Sequence, residues 1–159
     1  MSWLHLVLYA PEIPGNTGNI IRLCANHGAA LHLIEPLGFA LDDKRLRRAG
    51  LDYHEYARVQ IHRDWAALRT TVPMADERIV IATRHARRSF HDFAFAPGDM
   101  LVLGQETAGL PAAFRAEFPP ARQLRLPMCP DSRSLNLSNA AAVMSYEIWR
   151  QCGFPGAMQ

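Results

Sequence analysis

Seven polar side chains crowd one short span near the end of the 159-residue chain: Asp131, Ser132, Arg133, Ser134, Asn136, Ser138 and Asn139. They follow the apolar run Leu124-Arg125-Leu126-Pro127 and precede a hydrophobic stretch. Hydroxyls, amides, a carboxylate and a guanidinium at this density supply what a polar ligand needs. Such a loop is costly to fold, because all its backbone polar groups need partners. Helix capping accounts for Ser or Asn at one or two of these positions. The others remain for binding or catalysis.

Two further segments share this character. Pro14-Gly15-Asn16-Thr17-Gly18-Asn19-Ile20-Ile21-Arg22 places an amide and, six positions on, a guanidinium. Gly104-Gln105-Glu106-Thr107-Ala108-Gly109 has the glycine spacing of a phosphate loop. It continues as Leu110-Pro111, so the phosphate-gripping lysine is missing. No G-x-G occurs, and no G-x-S-x-G nucleophile elbow. The sequence therefore argues against nucleotide hydrolysis, dinucleotide chemistry and a serine-hydrolase elbow.

The elements that must position these residues alternate. Leu4 to Tyr9, Ala30 to Ile34, Arg58 to Ile61, Ile79 to Thr83, Leu101 to Leu103 and Gln123 to Leu126 read as strands. Ile20 to His27 reads as a helix, with Asn16 or Thr17 near its start and Gly28 as its stop. Asp42 or Asp43 can cap a short helix through Ala49. Helices are also expected over Trp65 to Thr70, Pro111 to Phe118 and Ser138 to Gln151. This alternation predicts one α/β domain over residues 1–159, a mostly parallel sheet flanked by helices. Ligands of such sheets bind beyond the carboxyl ends of the strands, where all three polar segments fall.

Composition narrows the class. Cys24, Cys129 and Cys152 are scattered, which argues against a disulfide framework and fits a reducing cytoplasm. The seven histidines show no ligand spacing, so no metal is expected. No apolar run is long enough to span a bilayer, and the first residues lack a basic leader. The formal charge of +2 hides two basic clusters, Lys44-Arg45-Leu46-Arg47-Arg48 and Arg84-His85-Ala86-Arg87-Arg88. Each reads either as a polyanion footprint or as a solvated surface.

Taken together, the three segments resemble the motifs of the SPOUT-class (SpoU/TrmH-like) RNA 2′-O-methyltransferases. The first matches at Asn16 and Arg22, and the second at Gly104-x-Glu106-x-x-Gly109-Leu110. The third runs from Leu126-Pro127-Met128 through Ser134-Leu135-Asn136-Leu137-Ser138-Asn139. Pro11-Glu12-Ile13-Pro14, Asp42 to Tyr53 and Pro130 to Ser134 resemble the branch of small bacterial enzymes acting on the tRNA wobble position. Gln105 stands where that branch commonly has Pro. The resemblance covers nearly the whole chain and thins between Ala57 and Phe95.

The resemblance implies a SPOUT fold with a deep C-terminal trefoil knot, which composition and spacing do not show. It implies S-adenosyl-L-methionine as cofactor and a homodimer as the working form. The implied substrate is the anticodon stem-loop of leucine tRNAs. The methyl acceptor is the 2′-hydroxyl of the wobble cytidine or modified uridine. The same chemistry on ribosomal RNA, and an inactive knotted RNA-binding module, are the competing readings. The adenosine slot is expected from Ala82, Thr83, Leu103, Gly104, Glu106, Gly109, Leu126, Met128, Ser134 and Leu135. Arg22 is expected beside the 2′-hydroxyl, holding a phosphate and the developing alkoxide. A guanidinium stays protonated, which disqualifies it as a base. Asn16 belongs to the same motif, and Ser134 and Asn136 would orient the Arg or the ribose. Glu106 would fix an amide, a guanidinium or a hydroxyl, or take the proton indirectly. Lys44, Arg45, Arg47 and Arg48 would meet RNA phosphates, two copies of the cluster widening the surface. The apolar groups Val143, Met144, Tyr146, Ile148 and Trp149 exceed one helical stripe, and part of them is expected against a partner subunit.

Overall fold

A computed structural model describes residues 1–41, Lys44, Glu55 and residues 58–158. Its strands are β1 (Leu4–Tyr9), β2 (Ala30–Ile34), β3 (Val59–His62), β4 (Ile79–Ala82), β5 (Arg88–Ser89), β6 (Asp99–Leu103) and β7 (Gln123–Arg125). They form one sheet in the order β3-β2-β1-β6-β4-β7-β5, and every pairing is parallel. The central strand β6 is buried at all five positions. Leu101 lies opposite Leu6 on one side and Val80 on the other.

A parallel sheet needs both faces covered, because its crossovers run over them. Side chains alternate between faces along each strand, and two apolar layers result. Leu6, Leu8, Leu31, Leu33, Leu101 and Leu103 pack on one face with Ile20, Ile21, Cys24, Met144 and Ile148. Those partners come from α1 (Pro14–His27) and the last helix, Leu137–Gln151. Val7, Ile34, Ile79, Ile81, Met100 and Val102 pack on the other with Leu68, Phe114 and Phe118. Leu68 belongs to α2 (Trp65–Thr71) and Phe114 to α3 (Ala112–Arg115); the last helix is α4.

The helix starts differ from the sequence expectation. α1 begins at Pro14, so Asn16 and Thr17 lie inside its first turn and Ile13 occupies the cap with no side-chain bond. Proline suits the first helical position, since its missing N–H would be unpaired there anyway. Gly28 ends α1 in the left-handed region (φ 79°), its N–H bonded to the Cys24 carbonyl at 2.8 Å. α3 is shorter than the expected Pro111 to Phe118. Its bonds tighten to Glu117 N–H on Phe114 and Phe118 N–H on Arg115, and Pro119 follows. A residue before proline is disfavoured in the helical region. The two-residue strand β5 was not anticipated. The helix expected from Asp42 or Asp43 through Ala49 lies outside the described residues.

Three histidines form a row across the first three strands. His5 Nδ1 stands 3.0 Å from His32 Nε2, and His32 Nδ1 stands 3.0 Å from His62 Nε2. Burial pushes the His32 imidazole down to about 3, and the neighbouring His5 and His62 add to the shift. Across the helices, His27 Nε2 meets Ser145 Oγ at 3.0 Å, joining α1 to α4. Among the described residues no helix is long and apolar enough to cross a membrane.

Candidate active site

Because all strands run parallel, their carboxyl ends open at one edge of the sheet. β6, β4 and β7 are neighbours there. The loops that leave them, with the start of α4, surround a cavity of about 160 Å³. Ala82, Thr83, Leu103, Gly104, Glu106, Gly109, Leu126, Met128, Ser134 and Leu135 all line it. Leu137, Ala140 and Met144 of α4 add an apolar floor. A largely apolar slot with a few polar groups suits a planar, uncharged ring better than a polyphosphate. The donor set fits an adenosyl group.

The Gly104 to Gly109 loop is a closed unit. Gln105 and Gly109 exchange backbone hydrogen bonds at 3.3 and 3.1 Å. A Cβ at Gly104 would run into the backbone of Gly109 and Leu110, so only glycine admits this closure. Gly109 sits at φ 66°. The fold thus presents the loop's backbone to the cavity in one fixed shape.

Glu106 faces away from that closure toward the first motif. Its two carboxylate oxygens accept the backbone N–H groups of Glu12 (2.8 Å) and Ile13 (3.1 Å). Glu12 answers by accepting from the Thr107 N–H (3.3 Å) and the Thr107 hydroxyl (2.7 Å). α1 has no side-chain cap of its own, and the Glu106 carboxylate stands at its positive end. Of the roles expected for Glu106, the geometry assigns it the fixing of amides.

The remaining candidates are spread around this core. Asn16 is buried on α1, and Arg22 is exposed on the same helix, 3.8 Å from Glu55. Neither lines the cavity. Asn136 caps α4, accepting from the Ser138 N–H at 2.9 Å and the Ser138 hydroxyl at 2.7 Å. Ser134 is exposed at the cavity mouth. Lys44 is exposed, whereas Arg45, Arg47 and Arg48 lie outside the described residues. Of the five apolar residues singled out on α4, Met144, Ile148 and Trp149 are buried in the chain's own core; Val143 and Tyr146 stay exposed.

The structure adds three basic side chains that the motifs do not contain. Arg84, His85 and Arg125 line the cavity. The second basic cluster, Arg84 to Arg88, was the available signal for the first two. Loss of hydration, then the Arg115 and Arg84 charges, push the His85 imidazole below its ordinary value.

Comparison with known proteins agrees with this architecture. Residues 3–146 match the model of the SpoU rRNA Methylase family. A protein of Burkholderia cenocepacia (strain HI2424), named tRNA (cytidine(34)-2'-O)-methyltransferase, is 59% identical over 152 residues, covering 96% of this chain and 97% of that one. One of the same name from Escherichia coli (strain K12) is 54% identical over 156 residues, covering 98% of each. A solved structure concerned with 2-OH methylation of C/U34 on tRNA superposes with a TM-score of 0.85 at 42% identity, over 95% of this chain and 91% of that one. The SpoU methyltransferase AviRb from Streptomyces viridochromogenes, in complex with AdoMet, superposes at 0.77 with 27% identity, over 94% of this chain and 58% of that one. With nine-tenths of its length matched and its three loops gathered at one sheet edge, the chain belongs to the SpoU methylase family.

Proposed function

We propose that this protein transfers a methyl group from S-adenosylmethionine to the ribose 2′-hydroxyl of the wobble nucleotide, cytidine or 5-carboxymethylaminomethyluridine at position 34, in leucine tRNAs. The observation that carries the reading is the meeting of the second and third motif loops around one largely apolar cavity, with the start of the first motif tied to them through Glu106. The names of relatives that match over nearly their full length point to the tRNA wobble position.

S-adenosylmethionine supplies an electrophile that is already activated, a methyl group on a sulfonium. The protein's task is then alignment, and alignment alone can provide much of the rate. Leu103, Gly104 and Leu126 hold the adenosyl end, with Ser134 at the ribose side of the mouth. Arg22 holds the phosphate beside the acceptor ribose and stabilises the alkoxide as the proton leaves. Glu106 and Glu12 keep the Arg22 helix in register with the cavity. The working form is a cytoplasmic homodimer. Val143 and Tyr146, exposed on α4, mark its contact face.

The test is methyl transfer to a leucine tRNA transcript, with the modified nucleotide located by mass spectrometry. Methylation confined to position 34 is the expected result. Methylation of ribosomal RNA with an unmodified tRNA would reject the substrate assignment. Light scattering should give twice the mass of the 17.8 kDa chain. A monomer at micromolar concentration would reject the dimer.

A further inference from the structure

Three arginines for which the proposed transfer step has no task gather in one place. Arg84 follows β4, Arg125 ends β7, and Arg133 lies in the loop before α4. All three line a second cavity of about 370 Å³. Asp131 is the one carboxylate among its described lining residues. Arg84, Arg125 and Arg133 are exposed, and no described carboxylate forms an ion pair with any of them. Arg84, Arg125 and Ser134 also line the first cavity, so the two cavities share a wall. Arg133 lines only the second.

We propose that this second cavity is a phosphodiester subsite, which holds the RNA backbone next to the ribose being methylated. The assignment rests on the reading of the first cavity as the methyl-donor site. Three guanidiniums against one carboxylate leave an excess of two positive charges in the wall. Like charges brought together in this way are relieved by an anionic ligand. A guanidinium is planar and offers a fork of donors that matches two phosphate oxygens at once. Three such forks, carried by three different segments, suit successive phosphates along a strand. The cofactor's own carboxylate shares the anion chemistry but offers a single charge, and Arg133 stands outside the cavity that would hold it. The Ser132 and Ser134 hydroxyls supply further donors in the same wall. The shared wall places this anion site beside the reacting centre.

The experiment measures binding of a labelled anticodon stem-loop RNA by fluorescence anisotropy at several salt concentrations. It uses the wild type, Arg133→Gln, Arg133→Lys and the double variant Arg84→Gln/Arg133→Gln. Calorimetry with S-adenosylhomocysteine and with adenosine runs beside it. Arg133→Gln should weaken RNA binding about tenfold and lower the log–log salt slope by roughly 0.7 to 0.9. Arg133→Lys keeps the charge without the fork and should recover part of the affinity. S-adenosylhomocysteine affinity should stay within about twofold for Arg133→Gln, because an interaction made only with RNA leaves cofactor binding alone. Unchanged RNA affinity and salt slope in the double variant would overturn the subsite. So would a loss of S-adenosylhomocysteine binding with adenosine binding intact, which would assign the arginines to the cofactor's carboxylate. A wild type that binds the RNA yet methylates no wobble nucleotide would reject the activity alone, and the salt slopes would still decide the subsite.

Discussion

Glu12 and Glu106, 94 positions apart in sequence, each hold the other's loop: Glu106 accepts from the Glu12 backbone N–H, and Glu12 accepts from Thr107. This crossed pair ties the start of α1 to the loop that shapes the cavity. Hydrogen bonds to charged acceptors contribute about 1.5–3 kcal/mol when buried, and less at a half-exposed site such as this. Glu106→Ala should therefore lower stability by about 1–2 kcal/mol. In a double-mutant cycle by urea denaturation, Glu12→Ala and Glu106→Ala should couple by at least about 0.5 kcal/mol. Strict additivity would show that the two carboxylates act independently.

Gly104→Ala tests the closure of the cavity loop. The added methyl meets backbone rather than a movable side chain. Overpacking of this sort costs about 1–3 kcal/mol. S-adenosylhomocysteine affinity should fall more than for Gly109→Ala, whose Cβ meets nothing within 4 Å and whose cost is the left-handed backbone alone. Equal effects on affinity in calorimetry would mean that backbone conformation, not close approach, is what matters here.

Arg22→Ala should abolish methyl transfer and leave cofactor affinity nearly unchanged, because Arg22 lies outside the cavity. An interaction made mainly in the transition state lowers turnover without weakening ground-state binding. Ser134→Ala, at the mouth of both cavities, should impair cofactor affinity and turnover together. Single-turnover methylation at saturating tRNA is the measurement. A near-normal rate for Arg22→Ala would make Arg22 a surface cation with no part in the transfer.

The buried histidines make stability depend on pH. Burial holds His32 down to about 3 and His27 to about 4, against 6.5 for a free imidazole. Between those values the unfolded chain binds protons that the folded chain does not. Stability is therefore full above pH 6.5 and falls as the pH drops toward 4. The slope for each such histidine is about 1.4 kcal/mol per pH unit. Urea titrations from pH 8 to pH 5 should show this decline, and His32→Leu should make it shallower. A flat profile would mean that these imidazoles take up protons without unfolding.

The strands were legible because a strand covered on both faces is a short, unbroken apolar run, as in Leu101 to Leu103. Their order in the sheet was not, since pairing is a relation between distant segments. β5 was missed because Arg88 and Ser89 form only two residues of edge strand with no apolar pattern. The α1 start was misplaced because Asn16 and Thr17 look like caps, while the carboxylate that serves this end comes from Glu106. The ten slot residues were readable only through family motifs. Arg84 and His85 stood out only as part of a basic cluster, and nothing local marks Arg125 as their neighbour.

β6 has a consequence for biosynthesis. It lies between β1 and β4, yet Asp99–Leu103 leaves the ribosome after both of them. Until it arrives, the flanks of β1 and β4 that it will join expose unpaired N–H and carbonyl groups, which other chains can template on. The nascent protein therefore carries the β1 edge from early in its synthesis, and both edges from the emergence of β4 until that of β6. Long-range pairing of this kind folds slowly, and crowding of unfinished chains should lower the yield of native protein more than any weakness of the completed fold.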